Sequence, residues 1–289
     1  MAPPKPRSHL TRRGLGCLTL ALLLVVGAAI AGFALLRDRG VTAPVPGQQR
    51  CVATAGESSV VLSLEQAHLT SIIVGLSVRR GLAPRAASIA MATVYQESGI
   101  RNLDGGDRDS VGLFQQRPSQ GWGTVKQLKD PYYATGAFYD ALVKVKGWED
   151  GDITEVAQQV QRSGFPDAYR DHEADGRVLA SVLTGRSTAG ISCLERQDRA
   201  GNSDGLVTAM EKTLGTVDHA VDGPTVTVRA GKATLAWAYG QHAVANAARY
   251  GVVSVTVADR TWTSDGTTLA AWEVNRTMLG TGEVRVTLR

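Results

Sequence analysis

The sequence predicts a mainly α domain followed by a small α+β module, both carried behind one amino-terminal membrane-spanning helix. Three observations predict it. Residues 14–36 contain no charged side chain and are dominated by leucine, alanine and valine. Between residues 63 and 184, apolar residues recur at helical spacing and are punctuated by capping residues. After a linker at 197–203 the pattern changes to helices interleaved with alternating strand candidates.

The amino terminus comes first. A run of about 23 residues at ~1.5 Å rise reaches roughly 34 Å, enough to cross the hydrocarbon core. Lys5, Arg7, Arg12 and Arg13 precede it, and Arg37, Asp38 and Arg39 follow. That bias places segment 1–13 in the cytoplasm, the span at 14–36, and everything beyond it outside. A cleaved signal peptide is the competing reading, with Ala29-Ile30-Ala31 as its peptidase site. The apolar run is longer than a signal-peptide core, which favours the retained anchor, and both readings export the protein. Residues 37–58, with Pro44, Pro46 and several glycines, read as a stalk.

The helical region, 59–196, opens at Ser63-Leu-Glu-Gln66, which has capping-box form, and Leu69, Ile72, Ile73 and Leu76 supply an apolar face. A second helix runs from about Pro84 to Glu97, with proline in its first turn and Gly99 just past its end. Ala86, Ile89, Ala90, Thr93 and Glu97 share one stripe of it, so Glu97 falls on the face directed at the core. A carboxylate withdrawn from water holds its proton more tightly, as a general acid working near neutral pH requires. Residues 99–123 are rich in glycine and polar groups with no steady period. Further helices start at Asp130-Pro131, at Asp152 and near Asp167, the last ending before Gly185. After a linker at 197–203, the module 203–289 reads as a helix near 206–214, a longer one from 232 to 250, and strands at 225–228, 252–257, 261–263, 272–274 and 284–288.

Three blocks carry a family resemblance. Glu97-Ser98 followed by Gly112-Leu113-Phe114-Gln115-Gln116 is similar to the Glu-Ser and Gly-Leu-Met-Gln pair of soluble lytic transglycosylases and goose-type lysozymes. The segment from Ala157 to Tyr169, containing Val-Gln-Arg-Ser-Gly-Phe-Pro, resembles lysozyme-like domains of actinobacterial wall proteins and their phages. Gln116 to Gly123 with Asp130-Pro131 fits the same group. The resemblance covers about residues 60–185. It implies a lysozyme-like domain that cleaves the β-1,4 bond between N-acetylmuramic acid and N-acetylglucosamine in peptidoglycan glycan strands. Glu97 is the implied catalytic acid; Ser98, Gly112, Phe114, Gln115, Gln116 and Tyr169 are the implied substrate-binding residues. Gln161 stands where the family usually has a tyrosine, so that tyrosine's supporting role is not carried over.

Glycosidases commonly use two carboxyl groups. Asp104, Asp107 and Asp109 are the nearest second candidates, although aspartates in glycine-rich loops also serve turns. The family offers another route, in which the substrate's own 2-acetamido group replaces the second carboxylate. Water and the sugar's own hydroxyl both remain open as final nucleophile. The rival to an enzyme is a peptidoglycan-binding or envelope scaffold protein that kept the glutamate. Asp107 to Gly112 lacks the ligands of a calcium loop, and no Cys/His set has zinc spacing, so no metal and no cofactor is expected. The net charge of +4 is mild and scattered, which does not argue for nucleic acid. Expected partners are glycan strands, the cytoplasmic membrane through 14–36, and an envelope protein through 203–289. Cys51 and Cys193 bracket the lysozyme-like region; in an oxidising compartment they form a bridge, and otherwise remain two free thiols.

Overall fold

The structure, a computed structural model, describes residues 47–162, 167–196 and 198–289. The expected basic segment, the membrane span 14–36 and the first part of the stalk lie outside the described residues. Among the described residues, no helix is long and apolar enough to cross a membrane.

Helix starts follow local chemistry. Helix α1 (Leu64–Arg79) begins with a complete capping box: Gln66 N–H donates to Ser63 Oγ at 3.1 Å, and Ser63 N–H donates to Gln66 Oε1 at 2.8 Å. Helix α2 (Pro84–Ser98) has its proline where the missing N–H costs least, and ends at Gly99 in the left-handed region, φ 61°. A single turn, α3 (Val125–Leu128), precedes α4 (Pro131–Leu142), which Asp130 caps through Tyr132 N–H. Asp152 caps α5 (Ile153–Gln161) through the amides of Thr154 and Glu155. Helix α6 (Glu173–Leu183) follows a short 3₁₀ turn, Arg170–His172. It lies so close to α2 that a Cβ on Gly176 would sit 2.7 Å from Ser88 O. Asn202 caps α7 (Ser203–Leu214). The long carboxy-terminal helix is interrupted at Asn246 into α8 (Ala233–Ala245) and α9 (Ala247–Tyr250). There the Asn246 amide donates to Ser71 Oγ at 2.9 Å, and its Oδ1 lies 2.6 Å from His68 Nδ1, which ties the break to α1.

The expected fold class, a mainly α lysozyme-like domain with a small α+β appendage, is corrected: the described residues form a mixed α/β body with two antiparallel sheets. Strands β1 (Arg50–Ala55) and β2 (Ser58–Leu62) pair as a hairpin, and β3 (Ile191–Leu194) joins β1 from the far end of the helical region, in the order β2-β1-β3. The chain read as stalk from residue 50 onward is therefore strand. Its inward positions are Cys51 and Ala53, too small and too few to advertise a strand by hydrophobic alternation. The second sheet runs β4 (Asp218–Asp222), β5 (Thr225–Arg229), β9 (Glu283–Leu288), β6 (Val252–Val257), β7 (Arg260–Thr263), β8 (Glu273–Val274). Val226, Val228, Val255, Val257, Val284 and Val286 turn inward from the adjacent strands β5, β9 and β6 and pack under α8.

Residues 49–289 form one compact unit with a continuous apolar core. Helix α1 contacts α7 and α8, and α8 contacts β3, so the helical region and the carboxy-terminal module share that core. The Cys51–Cys193 disulfide joins register partners on β1 and β3, with both sulfur-bearing residues buried.

Candidate active site

Glu97 occupies the last turn of α2, half-buried, at the wall of a cleft of about 1020 Å³. Burial pushes its carboxyl above the ordinary carboxylate range. The negative end of the helix dipole acts in the same sense, and no basic residue in that turn offsets it. Two hydrogen bonds oppose the shift by favouring the ionised form. The Tyr169 hydroxyl donates to Glu97 Oε1 at 2.6 Å, and the Gln161 side chain bonds the same carboxyl group. The net direction is upward, so Glu97 keeps its proton at a pH where an exposed glutamate has lost it.

The neighbouring loop is held to this helix end by its own polar groups. Ser98 Oγ donates to Leu113 O at 2.7 Å and accepts from Arg101 N–H at 3.2 Å, which joins α2 to the 112–116 segment. Gly112 N–H donates to Leu103 O at 2.8 Å, and Val111 N–H to Gln116 O at 3.1 Å. Gly112 has φ +80°, and Leu128 O occupies the place of a Cβ, so this turn admits only glycine. Gln115, at φ 47°, folds back: its amide donates to Gly112 O at 3.0 Å and accepts from Ser110 Oγ at 3.0 Å.

The seven residues expected at the site are placed as follows. Glu97, Gln115 and Gln116 line the cleft together. The Gln116 amide donates to Ala134 O at 3.2 Å, while its buried Oε1 has no hydrogen-bond partner among the described residues. Ser98 and Gly112 shape the loop from behind. The Phe114 ring is fully buried and stacked on Phe138, centroids 4.6 Å apart, while its carbonyl accepts from Gln161 Nε2 at 2.7 Å. Tyr169 is also fully buried and reaches the site through its hydroxyl.

Of the acidic candidates, Asp109 is clamped by Arg117 Nε at 2.7 Å and by Ser119 N–H at 2.8 Å, and its carboxyl is held well below the usual range by those bonds. Asp104 pairs with Lys129 at the surface. Asp107 lines the cleft but is almost wholly exposed. Among these carboxyl groups, Glu97 is the one at the cleft wall that burial raises.

Several residues of the cleft lie outside the expected substrate-binding set. Gln161, set aside as a departure, hydrogen-bonds both Glu97 and Phe114 O. Gln120, Gln159, Lys144 and Arg162 also line it. The sequence signal for Gln161 and Arg162 was position alone: they end α5 at the point where a helix stop turns the chain toward the site.

No protein-family model matches the chain, and no curated protein matches it.

Proposed function

We propose that the protein cleaves peptidoglycan glycan strands, with Glu97 acting first as general acid and then as general base. The observation that carries this reading is the half-buried carboxyl of Glu97, raised by burial and set in a cleft whose lining includes Gln115, Gln120, Gln159 and Gln161. Amide side chains both donate and accept, which suits a ligand made of hydroxyl and acetamido groups. The motif resemblance of residues 97–98, 112–116 and 157–169 supports the same substrate.

In this mechanism the Glu97 proton passes to the bridging glycosidic oxygen as the bond from that oxygen to the anomeric carbon breaks. The leaving sugar departs with the new hydroxyl. The carbonyl oxygen of the neighbouring 2-acetamido group attacks the anomeric carbon and holds the charge that a second carboxylate would otherwise stabilise. Glu97, now ionised, takes a proton from the incoming nucleophile as that nucleophile bonds to the anomeric carbon and the acetamido oxygen leaves it; the nucleophile is water for hydrolysis or the sugar's own hydroxyl for an anhydro product. The ionised form is the one that Tyr169 and Gln161 stabilise, so the same pair of donors supports the second half of the cycle.

The reading also places the protein outside the cytoplasmic membrane, anchored by 14–36, with residues 203–289 available to an envelope partner. The uncharged run with its preceding basic cluster supports the anchor. The Cys51–Cys193 disulfide supports an oxidising compartment.

The test is digestion of purified sacculi with the wild-type chain and with Glu97→Gln, the products being analysed by mass. Wild type releases muropeptides, with anhydro or reducing ends that separate the two product chemistries. Glu97→Gln slows release by about 10²–10⁴-fold. Wild-type protein that binds sacculi yet releases nothing overturns the enzymatic reading in favour of a scaffold.

A further inference from the structure

The geometry points to an anion-binding rim on the Glu97 cleft, formed by Arg162 and Lys144 with Arg108, that recognises carboxylate groups borne by the glycan strand. This inference rests on the glycan-cleaving reading above and names what the substrate must carry.

The cleft carries an excess of cationic side chains. Arg108, Arg117, Lys144 and Arg162 line the cleft, against Glu97 and Asp107. Arg117 is committed to Asp109 at 2.7 Å. Arg108 lies 3.7 Å from Asp107, with both side chains mostly in water, an arrangement that binds neither firmly. Lys144 and Arg162 form no ion pair among the described residues. Against them stand two acidic residues of the lining, Asp107 and the half-buried Glu97, whose carboxyl burial raises. The cleft is left with cationic side chains free to meet a ligand.

Backbone conformation marks two of the same residues. Among the described residues, six other than glycine have positive φ, and three of them, Arg108, Gln115 and Arg162, line this one cleft. Arg162, at φ 54°, is the residue that closes α5, a position where glycine is the least strained choice. Long cationic side chains stand at left-handed positions 108 and 162, which is the pattern expected where strain is retained for a site. A helix-end role accounts for a positive charge at Arg162. It does not account for Lys144, which comes from the turn after α4 and lines the same cleft.

The rest of the lining is largely uncharged and polar. The other glutamines of the lining offer uncharged amides suited to neutral hydroxyl and acetamido groups, whereas Gln116 is buried and bonded to Ala134 O. Cations add nothing to recognition of a neutral sugar, whereas an arginine fork and a lysine ammonium each match a carboxylate. Two sources on these strands supply one: the lactyl group of muramic acid once its peptide is removed, and the carboxyls of an attached stem peptide.

The experiment measures binding of the full chain to three ligands of matched length: neutral chito-oligosaccharide, peptide-stripped glycan strands and stem-bearing strands. Wild type is expected to bind at least one anionic strand about ten- to a hundredfold more tightly than the neutral one, the range of charge-assisted hydrogen bonds. That preference should shrink with added salt. In Arg162→Gln/Lys144→Gln the preference should collapse, and in the charge-keeping Arg162→Lys/Lys144→Arg it should persist. Tighter binding of stripped strands identifies the lactyl source; tighter binding of stem-bearing strands identifies the peptide. Equal affinity for neutral and anionic ligands by a wild type that releases muropeptides overturns the rim alone. So does a preference that survives in the double glutamine variant. Absence of binding to all three ligands overturns the rim and the glycan reading together.

Discussion

The Tyr169 hydroxyl reaches Glu97 Oε1 at 2.6 Å across 72 positions of sequence. Tyr169 is fully buried, so its ring is packing and only its hydroxyl is chemistry. Together with Gln161 it gives Glu97 two donors in a place that otherwise disfavours charge. A carboxyl that is costly to ionise and yet has waiting partners when it does is suited to releasing and regaining a proton within one cycle.

Tyr169→Phe removes one of those partners and keeps the packing. The lost bond favoured the ionised form, so the Glu97 proton is held still more tightly. The arm of the kcat/KM profile that falls as pH rises, where Glu97 ionises, should therefore move to higher pH. Gln161→Leu should move it in the same direction. A profile measured on soluble glycan strands checks this, and an arm that stays fixed or moves down in both variants refutes the pairing.

The same shift has a consequence for stability. Glu97 has a folded-state value above its unfolded one, so the native state binds its proton more tightly. Below the ordinary glutamate range both states are protonated and the residue costs nothing. As pH rises through the folded value, the buried charge reduces stability. Glu97→Gln should accordingly melt at a higher temperature than wild type near neutral pH, with the gap closing in acid. Calorimetry from acid to neutral pH would show it; a variant less stable than wild type at neutral pH contradicts the sign.

Gly112→Ala tests the loop. The backbone there has φ +80° and Leu128 O occupies the Cβ position, so the turn must open to admit a methyl group. The Gly112–Leu103 bond and the Ser98–Leu113 bond both depend on it. The expected loss is on the order of 1–3 kcal/mol in stability, accompanied by a fall in turnover because Gln115 and Gln116 shift. Urea titration and glycan turnover measure the two effects; wild-type behaviour in both would mean the turn is not constrained as described.

Legibility in the sequence followed the range of the interactions. The phase of α2, its proline start and its glycine stop are all local, and they place Glu97 without reference to any other part of the chain. The capping box at Ser63 and the caps at Asp130 and Asp152 are local in the same way. The small sheet was not legible because β1 and β3 lie at opposite ends of the helical region, and Cys51 and Ala53 offer little alternation. Strand β4 has no buried residue and exists only through pairing with β5. Its one signal was Asp222-Gly223 before an alternating run, a hairpin pattern. The break at Asn246 depends on Ser71 and His68, far away in sequence. The bond of Tyr169 and the bonds of Gln161 were hidden for the same reason.

The disulfide closes the longest covalent loop in the described chain, with its cysteines separated by 142 positions. Cys51 and Cys193 are register partners in an antiparallel pair, flanked by Arg50 with Leu194 and Val52 with Ser192. Those backbone bonds remain when the sulfurs are reduced, so the reduced protein should stay folded. Its unfolded state, however, regains the freedom that the link removed. In the chain-entropy model a loop of this size contributes at most about 4–5 kcal/mol, and residual structure in the unfolded chain lowers that. A typical loss of ~2–4 kcal/mol corresponds to roughly 5–15 °C in melting temperature for a chain of this size. Cys51→Ser/Cys193→Ser should show that drop while keeping native circular dichroism. Because both residues are buried, reductant should act on the wild type far more slowly in buffer than in urea. An unchanged melting temperature in the double variant, or two thiols freely alkylated in the native unreduced protein, would remove the bridge from this account.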